Sequence, residues 1–176
     1  GQSHLVECLF GLRKASSGRI FYQGKDITRL LPRGHRTRKI GYVPEDRLGT
    51  GTSREASITD NAIMGYHVAH RFSVPFLVNR KEAETFADQI IADYQVKADS
   101  NRTLIENLSG GNVQKVVVGR EFLQQNHLLI VEDPTRGIDV GAIEFIWQKI
   151  IDIAAQGVSI LLISHELTEV MELSDR

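Results

Sequence analysis

The sequence predicts an α/β protein in which a mostly parallel sheet is flanked by helices, with a helical segment inserted between its strands. Three observations predict it. Leu108-Ser109-Gly110-Gly111-Asn112 places a serine and two glycines just before a helix that opens with polar residues. His127 to Val131 is a short apolar run ending in Glu132 and Asp133, and Val158 to Ser164 is a second, ending in His165. Such runs, bounded by turn residues, read as buried strands.

The elements follow in order. A helix starts near His4, and Leu5, Val6, Leu9 and Phe10 around Cys8 make that single cysteine a core residue and exclude an internal disulfide. Gly18 to Gly24 reads as an edge strand, with Gly24-Lys25-Asp26 as the turn. Residues 29–39 carry Arg33, His35, Arg36, Arg38 and Lys39 and read as a solvated basic loop rather than a nucleic-acid surface. Lys39 to Pro44 supplies a strand. The Gly-, Thr- and Ser-rich loop 47–57 leads to a helix start at Thr59-Asp60-Asn61.

Asn79 and Glu82 have the spacing of a capping box, opening a helix with Ala83, Phe86, Ala87, Ile90, Ile91 and Tyr94 on one face. Residues 97–102 form a polar return to Leu108. Gly141 to Ala155 is amphipathic through Ile143, Ile146, Trp147, Ile150 and Ile151, with Gly157 closing it. Trp147 reads as a core residue rather than a base-stacking platform.

A length of 176 residues with 41% hydrophobic content is enough for one core. A net charge of -1 gives no bulk attraction for nucleic acid or an anionic membrane. No apolar run reaches membrane-spanning length and no signal peptide is visible. Service to a membrane would therefore mean docking on other subunits from the cytoplasm.

The chemistry gathers around phosphate. First-turn N–H groups of a helix lack intrahelical partners and carry the positive end of its dipole, and glycine admits an anion to the backbone. On its own, Ser109-Gly110-Gly111 equally describes an ordinary cap. Two carboxylates at a strand's C-terminal tip sit where open α/β sheets bind ligands. One can hold a hydrated Mg²⁺ and the other can orient water. His165 can donate to a phosphate or relay a proton at the same edge.

In this order the motifs resemble the nucleotide-binding cassette of ABC transporters, a P-loop NTPase-like fold, over nearly the whole chain. Gly1-Gln2-Ser3 matches the last three positions of the phosphate loop, Glu45 the Q-loop, Leu108 to Lys115 the signature, Leu128 to Asp133 Walker B, Gly137-Ile138-Asp139 the D-loop, and His165 the switch histidine. The runs VPEDR, LSGGNxQK and DPTRGIDVGA are similar to the second cassette of the tandem subunits that energise monosaccharide and nucleoside importers; GAIEFI, from Gly141, leans toward the nucleoside branch.

The resemblance implies a single ATP-binding domain truncated at both ends. It divides into a core part at 1–58, a helical subdomain at 59–107, and the signature, Walker B, D-loop and switch histidine at 108–176. ATP and Mg²⁺ are the implied cofactors. Gly1, Gln2, Ser3, Glu45, Ser109, Gly110, Gly111, Asn112 and Asp139 are the implied nucleotide contacts, Ser3 and Glu132 the metal contacts, and Asp133 and His165 the catalytic pair. The implied partners are a companion cassette, transmembrane permease subunits and, indirectly, a solute-binding protein, at the cytoplasmic face of the membrane.

Three positions depart from the family pattern. Gln2 replaces the phosphate-loop lysine, removing a cation. Walker B normally ends Asp-Glu, whereas Glu132-Asp133 inverts the order. Strand side chains alternate faces, so each carboxylate is misplaced by one methylene, roughly 1.5 Å. Glu45 stands where a glutamine is usual. The domain's own half-site is therefore expected to be degenerate, the isolated fragment inactive, and the signature given in trans to the companion. The alternatives are a non-hydrolytic regulatory cassette, or a DNA-repair or chromosome ATPase, which would carry coiled-coil or zinc insertions absent from this sequence.

Overall fold

Three parallel strands form the centre of the computed structural model, which describes residues 1–74 and 77–175. Pro75 and Phe76, within 59–107, and Arg176, at the end of 108–176, lie outside the described residues. In chain order the elements are α1 (Gln2–Leu9), β1 (Phe21–Tyr22), β2 (Lys25–Asp26), α2 (Pro32–Arg36), β3 (Ile40–Val43), α3 (Ile58–Ala62), β4 (Ser73–Val74), β5 (Leu77–Val78), α4 (Arg80–Asp93), α5 (Gly110–Phe122), β6 (Leu128–Glu132), α6 (Val140–Ala155), β7 (Ser159–Ile163) and α7 (Leu167–Leu173). A 3₁₀ turn at Ile105–Asn107 precedes α5.

The main sheet has the order β3-β6-β7. Val43 pairs with Val131 and Glu132 with Ile163, so the carboxyl ends of all three strands finish at one edge. Its two faces serve two cores. Ile40, Tyr42 and Ile130 pack on Val6, Phe10 and Ile27, while Val43, Leu129 and Val131 face the larger core made with α3 to α6. Alternation along strands that carry few polar residues is what burial on both faces requires.

In the larger core α5 is buried nearly all round. A β-carbon at Gly119 would stand 2.9 Å from Ile90 and Tyr94, so glycine lets α5 approach α4 closely. α4 starts as expected, with Asn79 accepting from the Glu82 N–H at 3.2 Å, but Glu82 turns outward to Arg71 at 2.6 Å rather than closing a capping box. In α6, Asp139 caps the Ala142 N–H at 3.0 Å, and Gly157, at φ +88, follows the end of the helix.

Four local expectations are corrected. α1 spans Gln2–Leu9, but Leu5 is 61% exposed and Cys8 only half-buried, not a core residue, which leaves Val6 and Phe10 as the buried face. Lys25 and Asp26 form a strand; the turn is Gln23-Gly24, with φ of 50 and 74, the left-handed pair that suits a two-residue hairpin. Ile151 is 47% exposed, outside the buried stripe of α6. Residues 29–39 are not simply a solvated loop. Pro32 starts α2, His35 is fully buried against Phe10, and Arg36 lies over the rings of Phe10 and Tyr66 at 5.1 and 4.7 Å.

Candidate functional site

The sheet's carboxyl edge gathers two of the sequence-selected acids, Glu132 and Asp133, and the histidine, His165. Glu132 closes β6 and is buried; its Oε2 accepts from the Tyr42 hydroxyl at 2.8 Å. Burial first, then the hydrogen bond and charge of Glu132, push the Tyr42 phenol well above its ordinary value. The phenol therefore stays a donor and fixes the carboxylate.

Asp133 lies one residue beyond β6 with φ +41, a left-handed conformation that costs a non-glycine residue of order 1 kcal/mol or more. Its N–H still donates to Ile163 O at 2.8 Å, so the ladder to β7 continues one step past the strand. The left-handed turn changes the geometry expected from plain strand alternation: Asp133 is turned toward β7, and both its oxygens meet His165. The backbone N–H of His165 donates to Oδ1 at 2.8 Å and Nδ1 lies 2.5 Å from Oδ2. The Asp133 side chain is 2% exposed and that of His165 61%.

Gln2 lies at the same edge. It shares a groove with Leu5, Val6, Leu9, Ile163 and Ser164, so the start of α1 sits beside the end of β7. Gly1 is the N-cap of α1 without a side-chain cap, which leaves the first-turn N–H groups, those of Gln2 and Ser3 among them, without side-chain acceptors among the described residues.

The signature residues form the start of α5. Ser109 Oγ accepts from the Asn112 N–H at 3.4 Å and from its amide at 2.9 Å, while Asn112 Oδ1 accepts from the Lys97 N–H at 2.9 Å. Ser109 is exposed, Gly110 half-buried and Gly111 buried. A β-carbon at Gly111 would come within 3.2 Å of Asp139 Oδ2, so the D-loop aspartate abuts the signature.

Sequence reading missed the residues that tie these loops together. Arg47 donates from Nη1 to Arg136 O at 2.6 Å and from Nη2 to Gly137 O at 3.2 Å, and Arg136 pairs with Glu45. The arginines of VPEDR and PTRG were visible, but nothing in one sequence says they meet. Beneath them, Arg120 and Glu121 are buried on α5. Arg120 donates to Glu121 at 3.0 Å and to the carbonyls of Gly51 and Asn61 at 2.9 and 3.3 Å. Glu121 also accepts from Tyr66 at 2.5 Å and from the Tyr42 N–H at 3.3 Å, with Arg36 3.5 Å away. Glu169, equally buried, accepts from Thr135 and Trp147 at 2.7 and 2.9 Å. Trp147 is thus half-buried and anchored through its N–H.

Fold comparison places this arrangement in one class. A nucleotide-free ATP-binding cassette from an ABC transporter superposes with a TM-score of 0.75 at 22% identity, covering 99% of this chain and 70% of that one. A cassette in a dimeric post-hydrolysis state bound to ADP and Pi gives 0.77 at 17%, covering 98% and 73%. The fold is that of the P-loop NTPase-like ATP-binding cassettes. The family described as ABC transporter matches residues 1–136, and the chain belongs to it.

Among its relatives are the guanosine import ATP-binding protein NupO of Bacillus subtilis (strain 168), 40% identical over 176 residues, and the galactose/methyl galactoside import ATP-binding protein MglA of Clostridium tetani (strain Massachusetts / E88), 36% identical over 175. The alignments cover 100% and 99% of this chain and 34% of each relative, so the chain spans about a third of their length. No helix among the described residues is long and apolar enough to cross a membrane.

Proposed function

We propose that the chain is an ATP-binding domain that energises import of a monosaccharide or nucleoside, and that its principal catalytic service is given to a companion cassette. The importer reading draws on family membership and on relatives named for guanosine and galactose import. It places the domain at the cytoplasmic face of the membrane, working with permease subunits and, through them, a solute-binding protein. In this reading 59–107 is the helical subdomain.

The donor set suits Mg²⁺ held mainly by nucleotide phosphates and water, through one or two protein oxygens. Glu132 has one oxygen on Tyr42 and a second without a hydrogen bond among the described residues, and Ser3 adds a hydroxyl. No group of three or more His, Cys, Asp or Glu gathers to hold a metal among the described residues. Bound Mg-ATP supplies the phosphoanhydride whose hydrolysis drives transport. Gly1, Gln2 and Ser3 present N–H groups to its phosphates, with Gln2 adding hydrogen bonds but no cation.

One observation carries the asymmetry. Asp133, the expected catalytic acid, has both oxygens engaged by His165, whereas Ser109 and Gly110 open α5 at an accessible surface. Ser109, Gly110, Gly111 and Asn112, with Asp139 beside them, are the residues offered in trans. The test is ATP turnover and uptake of labelled nucleosides and monosaccharides by the full-length protein assembled with its permease in vesicles. Failure of ATP to drive uptake of either class overturns the importer reading.

A further inference from the structure

We propose that Arg136 is a charge-compensating positioning residue, which keeps the acid at position 45 from repelling the phosphates of a nucleotide bound at the tips of β3 and β6. This rests on the nucleotide-binding reading above. Glu45 follows β3 by two residues, beyond the Val43–Val131 pair that ends the β3–β6 ladder at the sheet's carboxyl edge. A carboxylate there stands beside the edge where polyphosphate would lie, and like charges at short range oppose binding.

The guanidinium of Arg136 pairs with Glu45 Oε1, and no other cation forms an ion pair with Glu45 among the described residues. The side chains are 63% and 28% exposed, so the pair adds little to folding stability. Its consequence is electrostatic: the acid's charge is balanced on the D-loop side.

Arg47 fixes the backbone from which Arg136 projects. Its two nitrogens hold the carbonyls of Arg136 and Gly137. The same Nη2 lies 2.9 Å from where a β-carbon at Gly110 would stand and 3.6 Å from one at Gly137. One arginine shapes the D-loop against the signature, and the other neutralises the acid.

The test is photolabelling of the full-length protein with Mg-8-azido-ATP, mapped to this domain by proteolysis, with the concentration for half-maximal labelling as the readout. Arg136→Gln is expected to raise that concentration about fivefold at low ionic strength, and high salt should shrink the difference. Arg136→Lys, which keeps the charge, should stay close to the unsubstituted protein. Glu45→Gln combined with Arg136→Gln should restore labelling, a rescue that loss of a purely structural contact would not give. Unchanged labelling in Arg136→Gln, or a double variant as weak as the single one, overturns the inference alone. Absence of labelling in the unsubstituted domain overturns the nucleotide reading and this inference with it.

Discussion

His165 closes on Asp133 through two contacts, its backbone N–H on Oδ1 at 2.8 Å and its ring Nδ1 on Oδ2 at 2.5 Å. One residue thus serves both oxygens of a buried carboxylate that sits in a left-handed turn. Replacing the ring removes one donor while the backbone contact remains. His165→Ala should cost about 1–3 kcal/mol, the range for leaving a buried acceptor short of a partner. His165→Asn can keep a donor near Nδ1 and should recover part of the loss. Chemical denaturation of the three proteins checks this, and equal stability of His165→Ala and the parent would remove the structural weight given to the ring.

The charges buried on α5 predict a larger effect. Arg120 and Glu121 are about 1% and 0% exposed, and Arg120 reaches the carbonyls of Gly51 and Asn61 across the core. Arg120→Met leaves Glu121 with Arg36 as its remaining ion-pair partner and should destabilise by about 3–5 kcal/mol. Arg120→Met with Glu121→Gln should be less damaging than the two single effects added together, because the double change removes the uncompensated charge. Urea unfolding gives all four values. Strict additivity would mean the two residues do not act as a unit.

His35 sets a pH dependence. Burial lowers its pKa from the ordinary 6.5, outweighing a contact with the Leu30 backbone that acts the other way, and the Arg38 charge adds to the lowering. The folded state therefore favours the neutral ring. Its contribution is fully present above pH 6.5 and is lost as pH falls through 6.5 toward the lowered folded value. Asp60, lowered chiefly by its hydrogen bond to Ser57, acts with the same sign in a separate window below about 3.8. Stability measured between pH 7 and pH 5 should fall, and His35→Phe should flatten that segment while leaving the acid limb. A profile identical in the variant would assign the slope elsewhere.

These features mark where the sequence was legible and where it was not. The strands β3, β6 and β7 were readable as apolar runs, and the caps of α4 and α5 at Asn79 and Ser109 from residue type and spacing, whereas the Asp139 cap of α6 came only with the structure. Periodicity, however, records only apolar faces. Arg120 and Glu121 sit in a helix buried nearly all round, where the charges are satisfied by tertiary hydrogen bonds 55 to 79 residues away, and by Arg36 farther still, that no local pattern encodes. His35 and Arg36 were misread for the same reason: a run rich in cations looks solvated until its aromatic neighbours are known. The left-handed backbone at Asp133 was equally hidden, since aspartate in that position leaves no compositional trace.

Substitutions at Ser109, Gly110, Asp133 and His165 separate the two catalytic services proposed for the domain. Gly110 opens α5 next to Arg47, so Gly110→Ala narrows the approach to the signature and pushes on a side chain that holds the D-loop. Ser109→Ala removes the hydroxyl that caps the helix. Both changes act on the surface that the proposed function offers to a companion cassette. If that site is the competent one, each should abolish most ATP turnover, with losses of roughly 100- to 1000-fold where a transition-state donor is lost. Asp133→Asn should do much less, because its half-site already lacks the cation at Gln2 and its oxygens are taken up by His165. His165→Ala should fall between, since it removes an exposed ring expected to sense phosphate from a half-site expected not to support hydrolysis. Turnover and solute uptake by the assembled importer, with equal expression of every variant, give the ranking. Equal losses from Asp133→Asn and Gly110→Ala would mean that both sites fire and that the asymmetry is wrong.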